Sequence, residues 1–551
     1  MSIFGNRSFL ITLVTLVCCA ALLGIAYVRG LQRGMEAVIE WGPDYAQNAI
    51  AIAISDLVYN FNLGYVAAGQ VTAKLWNTIE GGATPGDLNI LPRLHDADLI
   101  NRAIKEASEL GTITPGYVDQ GGLISMYFQD LGYVDFIKLA FRLFGMQIQS
   151  LYLLFFVLFG LSVGLFIITF KGNLLASVTI VAITFTFLAE INSTIFDENM
   201  PTVYGLRYPG TLAIVPTVHL MLLIVWRLPP SFWNVVLTIP QAALLVFAIK
   251  LRSPAQWGMI AIAAIVGISF LAALWKGFRL RQGWELATAK ALPTLVRWPL
   301  ILMVALMIAH SVYMRAAVHP VYDSDDTLTS HNFWDTLFMD YAAFDEDARA
   351  LSDYQVGQEI GYNAGRIYAK QQHLVSDPAH LGSALTGTTL RIGFNDQLMR
   401  RIFLRYFSQH PLRVLRGYLI ENPIRTTRIF LGATLGIGGI PSGLCCAIPS
   451  AFPSWVWVGG LAICFGFAAA LTFLPWDRAK AAHLFYALAV IGVASALPLI
   501  MITPNPIIYL ADVLIVWPAA LYVTVPLLIG LIVKALIAQR IERPRRESVT
   551  A

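Results

Sequence analysis

Read for its apolar and polar positions, the chain divides into long uninterrupted apolar runs, short loops and two extended polar regions. A helix needs about 20 apolar residues to cross a hydrocarbon layer about 30 Å thick. Ten runs meet that length: 9–28, 148–170, 173–190, 209–226, 232–250, 256–275, 296–317, 453–474, 482–503 and 510–537. The runs are continuous rather than alternating, which argues against a porin-type barrel. An eleventh stretch, 429–450, is apolar but broken by Gly432, Gly436, Gly438, Gly439, Pro441, Gly443 and Pro449. It reads as a broken span, a re-entrant piece or an interfacial segment.

Composition agrees with the pattern. Of 551 residues, 57% are hydrophobic and 13% charged, and the mean hydropathy is +0.64. Soluble domains carry about 25% charged residues, so there is too little polar surface here to cover a water-soluble body of this size. The expectation is an all-α polytopic membrane protein with about ten spans (ten to twelve) and two mainly helical extracytoplasmic regions. The net charge of +4 fits basic cytoplasmic loops and gives no reason to expect nucleic acid as a partner. Cys18, Cys19, Cys445, Cys446 and Cys464 all sit in apolar stretches, so no disulfide framework holds the polar regions.

Lysine and arginine in short loops set the orientation. With ten spans and a cytoplasmic N-terminus, fourteen basic residues fall on the inner side, from Arg7 to the tail of Arg540, Arg543, Arg545 and Arg546. Three fall outside, namely Arg207, Lys250 and Arg252. Both termini are therefore expected in the cytoplasm of a cell (inner) membrane. The first run, 1–28, reads as an uncleaved anchor rather than a signal peptide, because it lacks a small-x-small exit. The layout is then an outer region at 29–147, spans two to seven at 148–317, a second outer region at 318–428, and a last section at 429–551. That last section holds the broken segment, the C-terminal spans and a basic cytoplasmic tail.

Chemistry, if present, belongs to the outer segments. Residues 135–144 are amphipathic and stop at Gly145, just before the second span, so they predict a helix on the outer membrane surface. Such a helix can floor a site at the lipid–water boundary. Asp119 precedes Gly121 and Gly122, which permit close backbone approach. Asp44 follows Pro43 a short tether beyond the first span; it either starts a helix over 44–60 or stands as a general base above the membrane. Glu190, Asp197 and Glu198 make the short loop after the third span acidic, a set able to bind a divalent cation through oxygen, with Arg207 nearby for an anionic group. Asp323, Asp325 and Asp326 open the second outer region, followed by His331, which either meets a phosphate or caps a helix. Asp-x-Asp spacing suggests metal ligation, although Asp96 and Asp98 share it. Arg413, Arg416, Arg425 and Arg428 recur beside the membrane, as lipid-phosphate ligands or as an interfacial anchor. His219 and His310 lie within spans and read as packed, hydrogen-bonded side chains.

This layout resembles the GT-C superfamily of integral membrane glycosyltransferases. The resemblance is carried by 117–145, by 196–215 with Leu206, Arg207, Tyr208 and Pro209, by 331–348 and by 406–428. The Asp-Glu followed closely by Tyr that is frequent after the first span of that superfamily is absent; Asp44 with Tyr45, or Asp119, stands in its place. The resemblance implies inverting transfer of a hexosyl or pentosyl unit from a polyprenyl-phosphate sugar donor to a glycan, lipid or protein acceptor. Asp44 or Asp119 would be the base. Arg207, His331, Arg425 and Arg428 would hold substrate or phosphate. A divalent metal, Mg or Mn, would sit near Asp197 and Glu198. The rival expectation is a non-catalytic flippase or assembly protein for lipid-linked envelope polysaccharide. A sensor is disfavoured, since no cytoplasmic segment exceeds about 20 residues and none has room for an output domain.

Overall fold

In the computed structural model the described residues are 3–34, 46–60, 64–81, 96–111, 113, 131–191, 208–280, 284–319, 334, 337, 400–401, 403–435, 454–501 and 507–550. Among them the regular structure is helical. The long apolar helices are α1 (Ile3–Gly34), α6 (Gln149–Thr169), α7 (Leu174–Ile191), α9 (Phe232–Leu251), α10 (Trp257–Arg279), α12 (Trp298–Ala317), α15 (Ser454–Phe473), α16 (Arg478–Met501) and α17 (Ile507–Thr550). The 3₁₀ turn Tyr208–Ala213 leads into α8 (Ile214–Val225). Around them lie α2 (Ala46–Leu57), α3 (Gly69–Glu80), α4 (Ala97–Ser108), α5 (Gly132–Phe144), α11 (Trp284–Ala291), α13 (Pro411–Arg416) and α14 (Asn422–Leu435).

Eight helices among the described residues are long and apolar enough to cross a membrane, and Gly210–Val225 and Val458–Phe473 are shorter apolar helices. All ten coincide with runs marked in the sequence, and the architecture is that of a polytopic helical membrane protein. Burial separates the centre of the bundle from its rim. The span Leu174–Ile191 is 83% buried and that of Trp298–Ala317 only 11%; the first is wrapped by protein and the second offers most of its surface to lipid. Phe159 and Phe187 stack at 4.2 Å between α6 and α7, with Phe155 beside them at 5.9 Å from Phe187. Several threonine hydroxyls inside the bundle are satisfied within their own helix: Thr179 Oγ1 donates to Leu175 O and Thr184 Oγ1 to Ile180 O, each at 2.8 Å.

Contacts at the helix ends make successive apolar helices run in opposite directions. At one end Gly172 N donates to Thr12 Oγ1 (3.0 Å), Trp226 Nε1 to Lys480 O (3.0 Å), Trp298 Nε1 to Leu228 O (2.9 Å) and Lys534 Nζ to Leu474 O (3.0 Å). At the other, Trp257 Nε1 donates to Asp512 Oδ2 (2.9 Å) and Asn422 Nδ2 to Ile500 O (3.0 Å). The first end carries the tryptophan and lysine side chains typical of a membrane interface, with the Lys480 and Lys534 ammoniums over the rings of Trp226 and Trp476.

The second end supports a small helical body made by α2 to α5. Helix α2 forms its centre, with Ala49 to Ile54 all buried. Asp96 caps α4 by accepting from the backbone N of Asp98 and Leu99, both at 3.0 Å, so its Asp-x-Asp spacing reflects a helix start. Helix α5 buries Tyr133, Val134, Phe136, Ile137, Ala140 and Phe141, leaves Leu143 and Phe144 exposed, and stops at Gly145 with φ of +93°. It therefore has the apolar outer edge expected of an interfacial helix, while its inner face packs on α2, α6 and α9. The approach to α9 is close: a Cβ on Gly132 would stand 2.7 Å from the Lys250 carbonyl carbon. Helix α14 runs through position 428, so the boundary expected there between outer region and last section falls inside a helix.

Candidate functional site

Of the residues singled out in the sequence, Asp44, Asp119, Asp197, Glu198, Arg207 and His331 lie outside the described residues. Arg425 is half-buried and Arg428 exposed on α14, which packs against α16 and α17. Glu190 is buried to 1% exposure at the end of α7. His219 is buried as expected, with Phe166 and Phe170 edge-on at 5.9 and 5.2 Å and Thr238 Oγ1 at 3.4 Å from Nε2.

Polar side chains converge elsewhere, where the helical body meets the spans. An open cavity of ≈ 590 Å³ is lined by Asp56, Asn60, Asp135, Lys138, Leu139, Arg142 and Tyr313, a volume in the range of small-molecule sites. Helix α5 supplies Asp135, Lys138 and Arg142 at i, i+3 and i+7, which puts them on one face. Helix α2 supplies Asp56 from its last turn, and α12 supplies Tyr313.

Three residues with left-handed backbones lie beside this cavity. Asn60, Gly64 and Tyr65 all have left-handed backbones, with φ of 51°, 62° and 68°. A left-handed conformation is uncommon for an aromatic residue and needs support from its surroundings. The support is visible. His319 N donates to Gly64 O at 2.8 Å, and the Gly64 Cα lies so close to the Val318–His319 backbone that a Cβ would overlap it. Tyr65, 3% exposed, donates its hydroxyl to Asp135 Oδ1 and Oδ2 at 3.0 and 2.9 Å, and lies 3.6 Å from Met314 Sδ.

The electrostatics follow from burial and pairing. Lys138 Nζ forms an ion pair with Asp56 Oδ2, and the two side chains are only 15% and 12% exposed. Lys138 also lies 4.7 Å from the centre of the Tyr65 ring. Asp56 Oδ1 is buried and has no hydrogen-bond partner among the described residues. Burial raises the Asp135 carboxyl above the ordinary carboxylate range, against the lowering effects of the Tyr65 hydroxyl and of Lys138. Burial, with Asp135 beside it, holds the Tyr65 phenol far above its usual value, so it stays protonated and donates. The cavity is thus lined by an ion-paired carboxylate whose second oxygen is buried, a carboxyl whose pKa burial raises, and two cationic groups. It does not suit a divalent cation: Asp56 is committed to an ammonium and both Asp135 oxygens to a phenol. Among the described residues no three His, Cys, Asp or Glu side chains gather as metal ligands.

Sequence reasoning singled out the Asp135 stretch but not Asp56, Tyr65 or Tyr313. One signal was readable: charged side chains spaced three and four apart on the polar face of an otherwise apolar helix. Comparison with protein-family models, with curated proteins and with solved structures finds no match.

Proposed function

We propose that the protein is a membrane glycosyltransferase that moves a sugar from a polyprenyl-phosphate donor to an envelope glycan, lipid or protein acceptor on the outer face. The single observation supporting this reading is the cavity at the helix ends, where the carboxyls of Asp56 and Asp135 stand beside Lys138 and Arg142. It lies where a lipid-borne phosphate at the bilayer surface and a water-borne acceptor can meet. In this reading ten helices span the inner membrane and both termini are cytoplasmic.

Asp56, at the cavity wall, accepts the proton of the acceptor hydroxyl as that oxygen attacks the anomeric carbon. The bond from the anomeric carbon to the phosphate oxygen breaks, the configuration inverts, and the lipid phosphate leaves with the electron pair. Lys138 and Arg142 balance its charge. Asp44 and Asp119 are the alternative bases, Arg207 and His331 further phosphate ligands, and Asp197 with Glu198 a place for a divalent metal such as Mg or Mn. The test is transfer from a polyprenyl-phosphate sugar in proteoliposomes by Asp56→Asn, Asp44→Asn and Asp119→Asn. Loss of at least about a hundredfold in one of them is expected, the scale of a general base; full activity in all three refutes the reading.

One observation favours a second reading, a flippase for lipid-linked glycans. Inside the bundle Ser162 Oγ donates to Gln241 Oε1 at 2.7 Å and Gln241 Nε2 to Ser162 O at 2.6 Å. With His219 and Thr238, this makes a polar seam between α6, α8 and α9. If Gln241→Leu abolishes lipid-linked glycan translocation while the three carboxylate variants stay active, this reading replaces the first.

A further inference from the structure

Two arginines meet at the end of the bundle that carries Trp226, Trp298 and Lys480. Helix α8 stops there in a turn closed by two backbone bonds: Leu228 N donates to Leu223 O at 3.1 Å and Arg227 N to Ile224 O at 3.3 Å. This pair of bonds is a Schellman turn with Trp226 as the cap. Arg227 therefore takes the left-handed position just past the helix, with φ of 53°. Glycine is the usual residue there, because a Cβ is strained in that conformation. Trp298 Nε1 donates to Leu228 O at 2.9 Å. That bond ties the end of α8 to the start of α12 and brings Arg227 toward Arg297, the residue that caps α12. Burial and, after it, the charge of Arg227 hold the Arg297 guanidinium below its ordinary value. Arg227 is exposed and Arg297 half-buried.

The fold gives these like charges little reason to meet. Among the described residues neither guanidinium forms an ion pair with a carboxylate. A cation suits the C-terminal end of α8, but Arg297 stands at the N-terminal end of α12, where positive charge is disfavoured. A third cation flanks the pair: Trp226 Nε1 donates to Lys480 O, and the Lys480 ammonium lies 6.0 Å from the centre of the Trp226 ring. The acid beside Lys480 is Asp477, and it is committed to the start of α16, where Oδ1 accepts from Ala479 N at 2.8 Å and Lys480 N at 3.4 Å. An anion between the two guanidiniums would relieve their repulsion. The guanidinium fork matches the oxygens of phosphate, and phosphate is the anion that lipid headgroups carry at a membrane interface.

We propose that Arg227 and Arg297 form a two-guanidinium site for a single phosphate group, from a lipid headgroup or from free phosphate. The proposal does not depend on sugar transfer. The test is thermal unfolding of the full chain in neutral detergent, titrated with phosphatidylglycerol, with inorganic phosphate, and with phosphatidylcholine as the zwitterionic control. Saturable stabilisation by an anion is expected. A stronger effect of phosphatidylglycerol assigns the site to a headgroup, and an equal effect of inorganic phosphate assigns it to the free anion. Arg227→Gly and Arg297→Gln are each expected to weaken binding about fivefold, the equivalent of about 1 kcal/mol per basic residue. Lys171→Gln removes an exposed charge between α6 and α7 at the same end and is expected to leave binding unchanged. Arg227→Gly also relieves the left-handed turn, so without ligand it should melt no lower than wild type, which separates lost binding from lost folding. No response to either anion overturns the proposal, as does an equal response to phosphatidylcholine or unchanged binding in either arginine variant. An equal loss in Lys171→Gln overturns it in favour of diffuse attraction by a basic end.

Discussion

Tyr65→Phe is the sharpest probe of the cavity, because it removes one oxygen and leaves the ring in place. The Tyr65 hydroxyl donates to both oxygens of Asp135, from a side chain that is 3% exposed. A hydrogen bond to a charged group contributes about 1.5–3 kcal/mol and one to a neutral group about 0.5–1.5 kcal/mol. Asp135 retains some exposure, so the lower half of each range applies. The bond favours the ionised carboxyl, and its removal raises the Asp135 pKa further. The sign follows: the variant loses about 1.5–2 kcal/mol where Asp135 is ionised, and only about 0.5–1 kcal/mol where it is protonated. Thermal or denaturant unfolding in detergent, at several points between about pH 4 and pH 8, reads the difference directly. Equal losses across that window, or no loss at its upper end, would refute the assigned geometry. Because the left-handed backbone at Tyr65 is equally hard for Phe, strain cancels in the comparison.

The other expectations concern the same end of the bundle and its interior. Asp135 binds its proton more tightly folded than unfolded, so stability should fall as pH rises through its raised pKa; Asp135→Asn should flatten that fall in the same titration. Lys138→Met leaves the Asp56 carboxylate buried without its cation and should cost about 3 kcal/mol, much of it recovered in the double variant Lys138→Met/Asp56→Leu; unfolding of the three proteins checks this. Gly132→Ala drives a methyl group into the Lys250 backbone and should lower stability by about 1–3 kcal/mol. A double-mutant cycle on Ser162→Ala and Gln241→Leu should give a coupling of about 0.6 kcal/mol, typical of intramembrane hydrogen bonds.

The positions of the apolar helices were legible because a bilayer imposes a length and a composition that few other environments require. Every helix from α6 to α10, with α1, α12, α15, α16 and α17, lies on a run recognisable by hydropathy alone. The amphipathic α5 and its stop at Gly145 were legible for a related reason: one face must leave water while the other meets it. The cavity was not legible. Asp56, Tyr65, Lys138 and Tyr313 stand on four different segments, and nothing local in the sequence states that α2 ends beside α5 or that Met314 reaches the Tyr65 hydroxyl. Asp96 shows why Asp-x-Asp spacing alone is a weak signal: the fold uses it to cap α4.

By itself, then, the sequence determined that this chain lives in a membrane as a helical bundle, because periodicity and hydrophobicity are properties of neighbouring residues. Only the tertiary structure decided which polar groups meet. Burial and pairing there arise between segments far apart in the chain: burial raises the Asp135 pKa against its partners, and pairing gives Asp56 its lysine.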